Sequence, residues 1–295
     1  MSWLNQIVQG ILLGGYYALL ACGLSFMFGV MRIINLAHGS LAVVAAYGVL
    51  TLADRYELNP FVALALVMPG MALLGWVLQR LMLERSARAG ELVPILATFG
   101  LAVVLDNTLF SVFGADSRSL APSIDTLAYD GVELAGFTIG HLSVLTFALS
   151  VVLLGGLHLV LAHTAIGRQI RSVADDPATA QLVGVNATAV NAMASAIAMM
   201  TVAVAGTFLA MRAAVDPYAG APQLIFAFEA VMIGGAGSLW GTLAGGIALG
   251  VAQSLGAQIH SQGFLIAGHV LFLLVLLGRL LLAGRPLKLA LTRSR

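Results

Sequence analysis

Charge is missing from long reaches of this chain. Residues 1–31, 33–53, 58–79, 134–167, 177–211 and 230–278 contain no Asp, Glu, Lys or Arg. A helix needs about 20 apolar residues to cross the roughly 30 Å hydrocarbon core of a bilayer. Each reach is therefore long enough for one crossing, and the last for two. Only 9% of the 295 residues are charged and 60% are hydrophobic, against about 25% charged in a soluble domain. Lipid rather than water is the solvent that such a chain requires.

With charges as punctuation, spans fall near residues 5–29, 38–53, 60–80, 92–113, 140–162, 188–211, 223–236, 240–257 and 264–283. All are expected to be helices, because an open strand edge in hydrocarbon leaves backbone N–H and C=O groups unpaired, and the alternation of a barrel strand is missing. The expected fold is an all-α polytopic bundle of 8–9 spans forming one transmembrane domain over residues 1–295. The segments 38–53 and 223–236 are the weakest, and either one re-entering without crossing lowers the count to eight. Small residues fill the spans, as in GILLGG, GTLAGGIALG and AVAGTFLA. Close backbone approach drives helix association in lipid, so these runs imply tight packing.

Basic residues in short loops mark the cytoplasmic side. Arg32, Arg80, Arg85, Arg88, Arg168, Arg171, Arg279, Arg285, Lys288, Arg293 and Arg295 fall on one side, which makes 11 of the 14; Arg55, Arg118 and Arg212 fall on the other. The first set is expected inside, with the C-terminus. Nine crossings then put the N-terminus outside.

The formal charge of +1 offers no basic surface for nucleic acid. The single cysteine, Cys22, excludes an internal disulfide and a cysteine metal cluster. Residues LLAC around it resemble a lipoprotein cleavage site, but the N-terminus lacks the basic region of a secretory signal and reads as a first span. The only lysine, Lys288, has no glycine-rich loop before it, so the chain carries no P-loop for ATP.

Two places break the helical pattern, and broken helices point to a solute path because unwound backbone at membrane depth must face protein or water. Residues 28–41, FGVMRIINLAHGSL, gather Arg32, Asn35, His38 and Ser40 around Gly29 and Gly39. Residues 233–243, IGGAGSLWGTL, hold Gly234, Gly235, Gly237 and Gly241. His38 is a candidate solute contact or a structural hydrogen-bonding residue, and Asn35 can meet a solute or cap a half-helix. Glu229, Asp106 and Gln253 are polar groups within spans, where they suggest a cavity or a partner. Asp106 with Asn107 is also consistent with a shorter helix.

A loop at 163–187 contains GRQIRSVADDPATAQLVGVN. Asp176 suits an N-cap, Pro177 a first helical turn, and Gly184 the left-handed residue that ends a helix. A two-turn helix over 177–183 follows, with Ala178 and Ala180 as its small-residue face. It is either a surface connector or an element that docks into a cytoplasmic partner.

The stretch GILLGGYYALLACGLSFMFGVMRIINLAHGSL resembles the N-terminal signature of LivH-type permeases of branched-chain amino acid ABC transporters, with Asn-x-Ala-His-Gly at Asn35 to Gly39. The loop 167–186 resembles that family's ATPase-contacting loop, with Arg168, Arg171, Asp175, Asp176, Pro177, Ala178 and Gly184, and residues 234–257 resemble its glycine-rich C-terminal segment. The resemblance implies a bacterial inner-membrane subunit, not an enzyme, that binds no cofactor. It further implies a second, LivM-like permease, two cytoplasmic ATPases that use ATP, and a periplasmic solute-binding protein. Asn35, His38, Ser40 and Glu229 are the candidates for the solute path. Related permeases for urea and short amides share the same element, and an ion-coupled secondary transporter is the rival from another class.

Overall fold

A computed structural model describes residues 2–90, 92–134, 137–260 and 262–283. In chain order the elements are α1 (Ser2–Met31), α2 (His38–Tyr56), α3 (Pro60–Leu78), a π-helical turn (Gln79–Leu83), α4 (Glu84–Ala89), α5 (Val93–Phe113), α6 (Ala121–Ile124) and α7 (Thr126–Tyr129). There follow β1 (Gly131–Leu134), β2 (Phe137–Gly140), α8 (His141–His163), α9 (Ala165–Asp175), α10 (Pro177–Leu182), α11 (Ala187–Arg212), α12 (Gly220–Gly234), α13 (Leu239–Ile259) and α14 (Gly263–Ala283). The two strands form an antiparallel hairpin, Val132 opposite Ile139, between α7 and α8. The basic residues Arg285, Lys288, Arg293 and Arg295 lie outside the described residues.

Every expected span has a helix. Among the described residues, seven helices are long and apolar enough to cross a membrane: Trp3–Met31, Pro60–Ala89, Val93–Phe113, His141–His163, Ala187–Arg212, Leu239–Ile259 and Gly263–Leu282. The other two expected spans are α2 and α12, the pair that the sequence marks as weakest. At about 1.5 Å per residue α12 is only about 22 Å long, short of a hydrocarbon core. The bundle is therefore an all-α multi-pass membrane fold, with α2 buried inside it and α12 too short to span it.

The helices arrange by burial. The apolar windows of α1 and α11 are 83% and 78% buried, whereas those of α5 and α14 are 11% and 6% buried. α2 is buried along most of its length, packed among α3, α5, α11 and α12. Its position explains why it tolerates His38 and Ser40, since it faces protein rather than lipid.

Glycine makes the central contacts possible. A Cβ on Gly10 would sit 2.5 Å from the Cα of Val251, and one on Gly14 would strike Ile247 and Gly246. Gly246 and Gly250 in turn press on the Gly14 and Gly10 carbonyls. The runs GILLGG and GTLAGGIALG are thus two halves of one α1–α13 contact, and Gly206 of AVAGTFLA lies against the Ala42 carbonyl of α2. In lipid, where apolar side chains gain nothing by leaving solvent, such backbone approach is the main source of association.

Candidate functional site

The first break begins where α1 ends. Arg32 takes a left-handed φ of 54°, a conformation that costs a non-glycine residue, and residues 32–37 leave the helix. Asn35 Oδ1 accepts the Ala37 N–H at 3.0 Å, and the Leu36 N–H donates to Thr98 Oγ1 of α5 at 3.1 Å. These bonds satisfy backbone groups that hydrocarbon leaves unpaired. His38 then places Nε2 2.8 Å from the carbonyl of Leu20, midway along α1. The chain therefore folds back from the end of α1 to its middle before α2 starts. Because a carbonyl only accepts, Nε2 carries the proton, and Nδ1 is a buried acceptor with no hydrogen-bond partner among the described residues.

Gly39 packs against the Gly220 carbonyl, so the N-terminal ends of α2 and α12 meet at backbone distance. Ser40 follows on the buried face, beside Asp106 of α5. Asn35, His38 and Ser40 thus come together at one junction of α1, α2, α5 and α12. Asp106 and Thr98 join them. The intramembrane carboxylate was legible in the sequence; the Thr98 bond, 62 residues from its partner, was not.

The second break sits at the opposite end of α12. Gly235 and Gly237 have φ of 101° and 84°, Gly234 and Gly241 pack carbonyl against backbone, and Ser238 Oγ accepts the Gly241 N–H at 3.1 Å to cap α13. The two breaks also touch. A Cβ on Gly29 would lie 3.1 Å from the Cα of Gly237.

Glu229 stands apart from the first cluster, nine residues beyond Gly220 and so about 13 Å along α12. It is 3% exposed, with Oε1 2.5 Å from His269 Nδ1 of α14. Nearby, the Tyr17 hydroxyl donates to Gln253 Oε1. Arg279, two to three turns further along α14, donates to the Ile233 carbonyl at 2.9 Å. α12 is therefore tied to α14 by two polar links. The His269 pairing was missed in the sequence because it joins residues 40 apart, although a histidine within an apolar span is itself a signal.

In the loop, the capped helix forms as α10. Asp176 Oδ1 accepts the N–H groups of Ala178 and Thr179 at 2.9 and 3.1 Å, and the Thr179 hydroxyl donates to Oδ2 at 2.5 Å. The Thr179 hydroxyl, then its amide, hold the exposed Asp176 carboxyl below its ordinary pKa. Gly184 closes the segment with φ of 87°. The expected face is corrected on one point: Ala178 is exposed, but Ala180 is buried against the bundle. The exposed apolar groups are instead Leu182 and Val183, 87% and 75% exposed.

α9 precedes this helix. Thr164 caps it by accepting the Gly167 N–H at 3.0 Å. Gly167, Ile170 and Val173 bury one face, while Arg168, Arg171 and Asp175 are exposed. A cleft of about 220 Å³ is lined by Arg32, Val173, Asp175, Pro177 and Asn191. The start of the first break and the base of α10 are two walls of one space.

A family model described as the branched-chain amino acid transport system permease component matches residues 6–283. The chain is 28% identical over 298 residues to the high-affinity branched-chain amino acid transport system permease protein BraD of Pseudomonas aeruginosa, covering 96% of each. It is 30% identical over 290 residues to a probable branched-chain amino acid transport permease protein LivH of Methanocaldococcus jannaschii, covering 95% of this chain and 90% of that one. With the Escherichia coli K12 permease LivH it shares 26% identity over 303 residues, covering 97% of each. No solved structure is a significant match. A family match across nearly the whole chain, on a fold whose breaks and capped loop fall where the motifs lie, makes this chain a member of the branched-chain amino acid transport system permease family.

Proposed function

We propose that this chain is the membrane-spanning permease subunit of an ATP-driven importer for branched-chain amino acids, and that α9 and α10 form its coupling surface toward a cytoplasmic ATPase. The observation that carries the reading is the cleft shared by Arg32 and Pro177. A push on α10 reaches the segment that holds Asn35, His38 and Ser40 without passing through a flexible connector.

In this reading the arginine-rich end is cytoplasmic, the chain sits in the bacterial inner membrane, and residues 163–187 are the docking loop of a single transmembrane domain. ATP is bound and hydrolysed on two partner ATPases, and this chain holds no cofactor. A second, LivM-like permease completes the passage, and a periplasmic protein delivers the solute. Closure of the ATPases moves α10 as a rigid unit, with Arg168, Arg171 and Asp175 exposed beside it. The junction of α1, α2 and α12 then shifts. Gly39 and Gly220 permit the sliding contact, while Gly235 and Gly237 supply backbone freedom at the far end of α12. Asn35, His38 and Ser40 shape the path, and Glu229 holds α12 to α14.

The test is reconstitution of the chain with its partner subunits in proteoliposomes. ATP-dependent uptake of leucine in preference to urea is expected. Preference for urea reassigns the solute. Uptake that persists without the ATPases and collapses with an uncoupler replaces the reading with an ion-coupled transporter.

A further inference from the structure

We propose that the cavity where α9 covers the meeting point of the two helix breaks binds a free aliphatic amino acid, with Arg171 for its carboxylate and Asp175 for its ammonium group, and that the bound amino acid slows import. This deepens the reading of the chain as an amino acid permease whose α9 end is cytoplasmic, and rests on it.

The cavity holds about 250 Å³. Its floor is apolar: Phe26 and Val30 from the end of α1, Leu161 of α8, Ile170 of α9 and Leu239 at the start of α13. All except Leu161 are buried. Gly29 and Gly237, whose backbones touch, line it as well. Over this floor stand two exposed side chains of opposite charge, Arg171 and Asp175.

Neither charge is used within the fold. Among the described residues the ion pairs are Arg88 with Glu84 and His269 with Glu229. Arg171 and Asp175 are thus unpaired although they stand four residues apart on one helix. A base four residues before an acid is the weaker order for such a pair, and Asp175 is the last residue of α9, where the helix dipole disfavours an anion. A carboxylate left open at that end of a helix is a place for a cation. Asp175 also lines the adjoining cleft, in which Asn191 Oδ1 is a buried acceptor with no hydrogen-bond partner among the described residues. An ammonium group has three N–H donors to share between two such acceptors. Arg32, the cation of that cleft, pairs with neither among the described residues.

This combination selects the ligand. An inorganic anion is held by Arg171 and repelled by Asp175, and a metal ion or a simple amine meets the reverse. A zwitterion satisfies both, and its carboxylate matches the planar fork of a guanidinium. The volume lies below the roughly 300 Å³ at which drug-sized sites begin, which is too small for a nucleotide, and the floor takes an aliphatic side chain. The position explains the effect. A bound amino acid bridges α9 to the end of α1 and the start of α13, parts that coupling must move against one another, and a ligand favours the arrangement that it binds best. The product of import then acts from the side on which it is released.

The test is equilibrium binding of radiolabelled leucine to the importer purified with its permease and ATPase partners but without the periplasmic protein. Two analogues complete it: isocaproate, which is leucine without the ammonium group, and isoamylamine, which is leucine without the carboxylate. Leucine should bind, and each analogue should bind about tenfold or more weakly, because each forgoes one charge-assisted contact. Asp175→Asn should weaken leucine but not isocaproate, and Arg171→Gln should weaken leucine but not isoamylamine. Both side chains are exposed, so the variants should fold, and an unchanged thermal midpoint in detergent checks this. In proteoliposomes, leucine enclosed with ATP on the cytoplasmic face should lower the initial rate of labelled leucine uptake several-fold, and enclosed isocaproate should not. The site is overturned if leucine does not bind, if either analogue binds as well as leucine, or if both variants bind leucine as the parent does. An uptake rate indifferent to enclosed leucine overturns the slowing of import. Absence of ATP-driven leucine uptake with binding intact counts against the transport reading alone, because binding needs no turnover.

Discussion

Two side chains hold helices that the proposed coupling would move. Glu229 is buried with one oxygen on His269, and its other oxygen has no hydrogen-bond partner among the described residues. Removing one partner of such a pair leaves the other stranded, which costs roughly 3–5 kcal/mol in buried pairs. Half-exposure of His269 puts the expected loss at or below the lower end of that range. Glu229→Ala and His269→Ala should each lower the thermal midpoint of the detergent-purified protein, and the double variant should lose less than their sum, with a coupling of about 1 kcal/mol. Strict additivity would mean that the contact contributes nothing. Asp176 makes a different prediction. Its carboxyl lies below the ordinary 3.8 because the folded chain donates hydrogen bonds to it. The sign follows: the cap is fully formed above that ordinary value and is lost as pH falls through the lowered one. Coupling should therefore not vary with this group between pH 6 and pH 8. Asp176→Ser, which can still cap, should keep ATP-driven uptake, whereas Asp176→Ala should lower uptake several-fold per ATP hydrolysed. Equal behaviour of the two variants would show that the cap has no part in coupling.

The proposed coupling element is α10, and its two alanines separate docking from folding. Ala178 is exposed and Ala180 is buried. Ala178→Arg should leave the chain as stable as the parent yet uncouple ATP hydrolysis from uptake. Ala180→Arg should reduce the amount of folded protein, because a charge then enters the contact with the bundle. Wild-type uptake by Ala178→Arg would remove α10 from the coupling surface. α10 also marks what a sequence alone reveals. Asp176, Pro177 and Gly184 act within their own helix, so its existence and ends were legible in the sequence, to within a residue at the C-terminal side. The turn of the helix that faces the bundle was not, because docking sets it, and Ala180 was placed on the wrong side. α9 was legible in principle through Gly167, Ile170 and Val173 at three-residue spacing, but Arg168 and Arg171 made the segment read as a loop. The start of α2 at the level of Leu20 rests on hydrogen bonds to residues 18 and 62 positions away, and no local pattern encodes those.

At the scale of the whole molecule, the arginines and the fold make one joint prediction about sidedness. Arg32 lines one cleft with Asp175 and Pro177 and another with Ala87 and Gly90, so the loop after α3 and the loop after α8 share an end of the bundle. Arg118 pairs its backbone with Val215 at the other end, next to Arg212. Among the described residues, Arg32 and the loops after α3 and α8 thus lie at one end and Arg118 and Arg212 at the other, and the proposed orientation, from the positive-inside rule, puts the first end in the cytoplasm. This sorting is read from the clefts that Arg32 shares with both loops and not from a count of crossings. In the Cys22→Ala background, cysteines placed by Arg85→Cys and Arg168→Cys should react with an impermeant maleimide only in inverted vesicles, and one placed by Arg118→Cys only in intact spheroplasts. Reaction of Arg85→Cys and Arg168→Cys from opposite sides would break the bundle as described. It would separate Arg32 from one of its two clefts, and with that the path by which α10 is held to act on the first helix break.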